Sequence, residues 1–345
     1  MPIVGLFIHP CTKSVKLLSL FPLCTVMEQP QLVIIAGPTA TGKTVLAVEL
    51  ATRYGAEIVS ADSRQVYRYL DIGTAKPTLE QRAAVPHHLL DVVNPDEPFD
   101  SARFRTLSLS AVHDTLQRGK RVLVVGGTGL YLRALTRGLF AGPPADPALR
   151  ARLHEQEQSE GRGFLHRWLA SVDPEAAVRL HPNDTVRLIR ALEVFLVSGT
   201  PMSRWQREHG FRDRPFTTLT ISLVMERETL ARRIEQRCRQ MVRDGLVEEV
   251  RRLWEMGYGP ELSPLQTIGY TQMGEMLQGH CGLEDALARM AQETRRLAKR
   301  QLTWLRAEPE VCWFAPTQMR EISRAVEMFF ERSAVSDSRQ PDLER

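Results

Sequence analysis

A chain of 345 residues with 43% apolar and 25% charged residues can bury a large core, which excludes a disordered or low-complexity protein. The length exceeds that of a usual single domain, so a main domain carrying an insertion is expected. The net charge of +4 suits a polyanionic partner without demanding one, and no apolar run reaches the length of a membrane span.

Residues 1–26 are apolar but interrupted by Pro10 and Pro22, with Lys13 and Lys16 in mid-segment and no small-residue cleavage site, so they do not read as a signal peptide. Met27 reads as the natural start, leaving 1–27 as an extension. An apolar run over 31–36 predicts the first strand. It is followed by GPTATGKT, a complete G-x-x-x-x-G-K-[ST] phosphate loop, and a helical pattern over 45–54. In such a loop the backbone N–H groups of Gly37, Pro38, Thr39, Ala40, Thr41 and Gly42, proline excepted, face a polyphosphate. Lys43 adds a mobile charge, the helix N-terminus adds its dipole, and Thr44 is the natural Mg²⁺ ligand.

Further strands are predicted over 57–60, 87–93 and 121–125, with a helix over 102–117. The alternation implies a P-loop-containing, doubly wound parallel α/β sheet, in which ligands bind at the carboxyl ends of the strands. Beyond Gly142 the texture becomes helical, over 147–157, 164–170 and 185–197, so 145–215 reads as a helical insertion between core segments 28–144 and 216–332. The sheet resumes over 217–225, an amphipathic helix follows over 227–243, and helices continue to Arg306. From Ser333 the chain is polar and charged, and a disordered tail, 333–345, is expected. Five scattered cysteines, odd in number and without a C-x-x-C pair, exclude a zinc finger and fit a reducing, cytoplasmic setting.

Three segments follow strands: 37–44, 62–65 and 126–131. Asp62 is their only carboxylate, and it reads either as a water-mediated magnesium holder or as a general base. Gly126, Gly127 and Gly129 form a carboxylate-free floor that lets a substrate approach the backbone, with Thr128 as a polar contact. Arg233 and Arg237 share a helix face and read either as a cap on the phosphates or as a solvated basic face. His87 and His88 lack a third ligand at metal spacing, which leaves packing as the better reading.

Several long motifs, in order, resemble the bacterial tRNA dimethylallyltransferases: GPTATGKT, DSRQVYR with DIGTAKP, HHLLD, GGTGLY, HPND, RALEV, IGY and KRQLTW. The resemblance runs from about Gln31 to Arg306. It implies transfer of the dimethylallyl group from dimethylallyl diphosphate to N6 of the adenosine 3′ to the anticodon, with Mg²⁺ and no membrane or protein partner. Asp62 is then the base, with Thr128 beside it, and the loop holds a leaving diphosphate together with Arg233 and Arg237. The tRNA anticodon stem-loop is expected at Asp62, Ser63, Arg64, Gln65 and Thr128, and at Gln266, Thr267, Ile268, Gly269, Tyr270 and Thr271. Its flanks fall to Arg150, Val186, Arg187, Leu188, Ile189 and Arg190, and to Lys299, Arg300, Gln301, Leu302, Thr303, Trp304, Leu305 and Arg306. The basic stretch of Arg295, Arg296, Lys299, Arg300 and Arg306 fits an RNA-facing helix better than a merely solubilising one, whereas core burial is the plainer reading of Trp304. Enzymes that prenylate free adenine nucleotides share the core motifs, and a small-molecule kinase would share the loop.

Overall fold

The computed structural model describes residues 29–337, with side chains through Glu331. The expected extension at 1–27 and residues 338–345 of the expected tail lie outside the described residues. Six strands, β1 (Gln31–Ala36), β2 (Ala56–Ser60), β3 (His87–His88), β4 (Arg121–Val125), β5 (Thr217–Leu223) and β6 (Val311–Phe314), form one sheet. Their order is β3-β2-β4-β1-β5-β6, and every pairing is parallel. A parallel sheet is covered on both faces, which explains why β1 reads as an unbroken apolar run.

One face is covered by α1 (Lys43–Tyr54) and, from the far end of the chain, α14 (Met319–Asp337); Leu50 and Ile322 meet Ile35 and Ile58 there. Fourteen helices are found among the described residues. On the other face lie α3 (Ser101–Gln117) and α4 (Gly129–Arg137), after the short α2 (Leu79–Ala84), with Phe104 stacked on Tyr131 at 4.1 Å between ring centroids. Each fully buried Leu, Ile or Phe contributes about 1.5–3 kcal/mol. Helices α5 (Pro147–Ser159), α6 (Phe164–Val172), α7 (Pro174–Arg179), α8 (Thr185–Ser198) and α9 (Met202–His209) surround an apolar core of their own, built on Leu153, Leu165, Leu169, Leu188 and Leu192. Helices α10 (Arg227–Arg243), α11 (Leu246–Glu255), α12 (Tyr270–Leu277) and α13 (Leu283–Arg306) pack with the segment from Val66 to Val93. No helix among the described residues is long and apolar enough to cross a membrane.

The strand expected over 87–93 stops after His88. Leu89 and Asp91 take positive φ (62° and 55°), which breaks the ladder, and Val92 and Val93 donate their N–H groups to Val66 instead. Strand β5 ends at Leu223, two residues early; Val224 then donates to Phe314 at 2.9 Å. Strand β6 and helix α14 were not anticipated, because a four-residue edge strand with exposed Cys312 and Trp313 carries no alternating signal. Helix α14 also runs on to Asp337, past the Ser333 where the tail was expected to begin.

The two histidines serve the sheet. His88 Nε2 lies 2.7 Å from the buried Glu57 carboxylate, which also accepts from Arg118 Nη2 at 2.7 Å and Thr115 at 3.2 Å. No cluster of metal-ligating side chains is found among the described residues. The Arg118 hydrogen bonds hold the Glu57 carboxyl at about 2, against an ordinary 4.5. A carboxyl lowered in this way adds stability above about pH 4.5, and that contribution is lost as the pH falls through about 2. Glu57→Gln should therefore lower the thermal midpoint at pH 7, and the gap to wild type should close on titration to pH 2, as followed by circular dichroism.

Candidate active site

The carboxyl ends of β1, β2 and β4 meet around one cavity of about 460 Å³, a size ordinary for a small-molecule site. The loop after β1 bends through Gly37 (φ 140°), Ala40 (φ 66°) and Gly42 (φ 98°), and the Thr41 hydroxyl ties it by donating to Pro38 O at 2.8 Å. Gly42, Lys43 and Thr44 make no backbone N–H hydrogen bond within the described residues, as at any helix start, so they are available to an anion. Thr39 differs from the sequence expectation: its N–H donates to Gln301 Oε1 at 2.9 Å. Lys43 Nζ donates to Pro38 O at 2.9 Å and faces the cavity. Burial first, and then the charge of Arg237, bring the Lys43 ammonium down to about 8, with Asp62 working in the opposite direction.

Asp62 sits one residue past Ala61, in the turn after β2. Its Oδ1 accepts from Arg64 N at 2.8 Å, which fixes the carboxylate while the side chain still lines the cavity. Thr128 Oγ1 accepts from Ser63 N at 3.1 Å, and Thr128 N donates to Ala61 O at 3.3 Å, so Thr128 stitches the ends of β4 and β2 together.

The glycine floor has a different cause from the one expected. A Cβ at Gly126 would lie 2.1 Å from Ala61 O, one at Gly127 would lie 2.2 Å from Gln301 Nε2, and one at Gly129 would lie 2.3 Å from the Trp304 ring. These glycines admit neighbouring protein; Gly127 and Thr128 alone of the motif also line the cavity.

Helix α10 faces the loop. Arg237 is half-buried in the cavity wall, and its desolvation pulls it below the usual arginine range. Arg233 is exposed, yet its Nη2 would lie 3.9 Å from a Cβ at Gly42. The apolar part of the wall comes from Ile234 and Met241 of α10 and from Met290 and Leu297 of α13, none of which the motifs flagged.

The residues expected at RNA divide. Ser63, Arg64, Gln266, Thr267, Ile268, Arg300 and Gln301 line the cavity. Gln65 is spent on structure, donating to Thr74 O and Ala75 O at 3.2 and 3.1 Å and accepting from Ser60. Gly269 and Tyr270 are buried, Thr271 is half-buried, and the Tyr270 hydroxyl donates to Glu249 at 2.6 Å. Leu188 and Ile189 belong to the core of the helical segment, while Val186 is 78% exposed. Arg150 Nε donates to Glu193 Oε1 at 2.8 Å and Arg190 pairs with the same buried carboxylate, whereas Arg187 pairs with Asp184. On α13, Lys299, Arg300, Thr303 and Arg306 are exposed, Leu302 is half-buried, Leu305 is in the core, and Trp304 packs against Gly129 under the Arg133 guanidinium. The inward face of α13 was legible as Ala298, Gln301, Trp304 and Leu305, at helical spacing; a neutral glutamine in a basic run was the missed signal.

Together these features define a phosphate-loop α/β protein in which a single carboxylate faces the loop across a shared cavity. The IPP transferase family matches over residues 65–308. A tRNA dimethylallyltransferase of Syntrophobacter fumaroxidans is 53% identical over 282 residues, 82% of each chain, and one of Geobacter metallireducens is 52% identical over 83% of this chain and 93% of its own. The structure of the tRNA isopentenylpyrophosphate transferase of Bacillus halodurans superposes with a TM-score of 0.67 at 38% identity, covering 90% of this chain and 99% of that one. A eukaryotic dimethylallyltransferase acting on tRNA gives a TM-score of 0.72 at 28% identity, over 92% of this chain and 81% of that one. The chain belongs to the IPP transferase family.

Proposed function

We propose that this protein is a tRNA dimethylallyltransferase that moves a dimethylallyl group from dimethylallyl diphosphate to N6 of the adenosine 3′ to the anticodon. The observation carrying this reading is the pairing of an anion-binding loop with one carboxylate, Asp62, across a cavity that also has an apolar wall. The bond from N6 to the allylic carbon forms as that carbon's bond to oxygen breaks. Diphosphate departs with the electron pair, and Asp62 accepts the N6 proton. The exocyclic amine needs this help, because its lone pair is delocalised into the ring. Lys43, the loop N–H groups, Arg237 and Arg233 meet the charge that grows on the leaving group.

The Thr44 hydroxyl makes no hydrogen bond within the described residues, and no cluster of acidic, histidine or cysteine ligands stands nearby. Such a site fits Mg²⁺, which keeps several waters and binds chiefly through substrate phosphates, with Thr44 as the protein ligand. Bound there, Mg²⁺ would neutralise charge on the diphosphate.

A stacked base cannot reach the cavity, so the target adenosine is flipped into it, between Asp62, Arg64 and the segment Gln266, Thr267 and Ile268. The exposed Lys299, Arg300 and Arg306 of α13, with Arg187 and Val186 of α8, serve the flanking RNA. Arg150, Arg190, Gln65 and Tyr270 support this surface from behind.

The test is incubation with labelled dimethylallyl diphosphate, Mg²⁺ and either unmodified anticodon stem-loop RNA or AMP. Label is expected in the RNA alone, with the RNA KM rising steeply with salt as phosphate contacts are screened. Label in AMP, or a flat salt response, would overturn the RNA assignment.

A further inference from the structure

We propose that Glu249 is a positioning residue: its buried carboxylate ties together the two loops that wall the cavity opposite the phosphate loop, and thereby sets the pose of the acceptor adenosine. The inference rests on the transfer reaction proposed above and adds to it a residue that touches no substrate.

Glu249 lies in the first turn of α11 and is only 2% exposed. It has no cationic partner within salt-bridge distance among the described residues. Its donors are backbone groups of the segment DIG: Asp71 N reaches Oε2 at 3.1 Å, Ile72 N reaches Oε2 at 2.8 Å, and Gly73 N reaches Oε1 at 3.1 Å. The fourth donor is the Tyr270 hydroxyl, at 2.6 Å from Oε1. Burial, reinforced by the Glu249 charge, keeps the Tyr270 phenol well above its ordinary range, so it stays a donor. A carboxylate this deep is tolerated only when its oxygens are met by donors, and here the donors come from two separate segments.

Both segments lead directly to the cavity. Gly73 and Thr74 follow Ile72 and line it, and Gln266, Thr267 and Ile268 precede Tyr270 and line it as well. The segments touch through Tyr270: a Cβ on Gly73 would lie 2.5 Å from the Tyr270 ring, and one on Gly269 would lie 4.0 Å from Gly73 Cα. The spacing of the two wall loops is therefore set by one carboxylate and one ring. Gln65 braces Thr74 and Ala75 from the other side, and Lys76 reaches Tyr67 O at 2.6 Å and Asp71 Oδ1 at 2.7 Å. An apolar side chain of the same size would leave three backbone N–H groups and a hydroxyl unpaired, so an acceptor is needed at this place. What the carboxylate adds is direction, because three consecutive N–H groups must converge on it. The phosphate loop is built from other parts, β1, α1 and Gln301, and Glu249 makes no hydrogen bond to it or to Arg233 and Arg237, so the donor site is expected to change little.

The experiment compares wild type, Glu249→Gln, Tyr270→Phe and the double variant, with dimethylallyl diphosphate and unmodified anticodon stem-loop RNA. In Glu249→Gln one carboxylate oxygen becomes an NH₂ that faces N–H donors. The RNA KM should rise about tenfold and kcat should fall, while the donor KM stays within twofold. Tyr270→Phe keeps the ring and its volume, so it folds, and it should show a smaller change of the same kind, about threefold. The double variant should be no worse than Glu249→Gln, because the tyrosine acts through the carboxylate. Unchanged RNA KM and kcat in folded variants, additive losses, or a donor KM that rises in parallel would each overturn the proposal. If Glu249→Gln does not fold, Tyr270→Phe decides alone. Amide exchange at Ile72 and Gly73, slow in wild type and faster in the variants, reads the anchor without activity; exchange unaffected by the variants overturns it. An inactive wild type would instead overturn the proposed function.

Discussion

Asp62→Asn should keep RNA affinity within a few-fold and lose about a hundredfold to ten-thousandfold in kcat, the usual worth of a general base. Asn is the sharper probe because its amide oxygen can still accept from Arg64 N, the 2.8 Å bond that fixes this turn, so shape is kept and basicity removed. Asp62→Ala should lose as much transfer, with a somewhat looser turn. Fluorescence anisotropy with labelled stem-loop RNA gives the affinity, and single-turnover transfer of labelled prenyl group gives the rate. Normal turnover in Asp62→Asn would remove the proton-acceptor role and leave the carboxylate with only a positioning or metal-orienting one. A matching loss of RNA affinity would point to binding instead.

Lys43→Ala should weaken donor use by about a hundredfold to a thousandfold in kcat/KM, the scale expected when one preorganised charge is removed from a leaving group. The pH dependence gives the more specific check. Burial and Arg237 hold Lys43 at about 8, so in the free protein the ammonium is present below that pH and is lost above it. Only the charged form binds an anion well. Wild-type kcat/KM for the donor should accordingly be level from pH 7 toward 8, then fall by up to about tenfold per pH unit. Lys43→Ala should lack that limb and stay flat from pH 7 to 9. A wild-type profile flat through pH 9 would mean that Lys43 is not the group meeting the diphosphate.

Much of the fold was legible because its signals are local. Strand β4 and helix α10 fall at Arg121–Val125 and Arg227–Arg243, the bounds the periodicity gives, since a valine-rich apolar run and a clean stripe at Leu230, Ile234, Cys238 and Met241 need no distant partner. The strand expected over 87–93 was not legible in the same way. Leu89 and Val93 are buried, but Leu89 and Asp91 turn at positive φ to serve a pairing with Val66 that no local pattern announces. The expected RNA contacts at Gln65, Arg150, Arg190 and Tyr270 illustrate the same limit. Each has the chemistry to meet RNA, and each is occupied by a partner that only packing supplies: Thr74 O and Ala75 O hold Gln65, Pro143 O lies 47 residues from Arg190, Glu193 lies 43 residues from Arg150, and Glu249 lies 21 from Tyr270. Gln301, expected at RNA, lines the cavity and also bridges Thr39 and Gly127 across the site, a link no local pattern announces.

The sequence by itself determined the phosphate loop, the parallel sheet, the carboxylate at the end of β2 and, through motif order, the family. These depend on turn chemistry, hydrophobic period and spacing, which act over a few residues. Only the tertiary structure decided which face of α13 closes the site, why Gly126 and Gly129 must be glycine, and that the buried Glu249 gathers into one wall a loop whose Asp71 lies 178 residues away and a loop whose Tyr270 lies 21 away. A side chain's hydrogen-bonding capacity is written in its type, but its partner is chosen by packing, and the cost of leaving a buried polar group unpaired is what makes that choice binding.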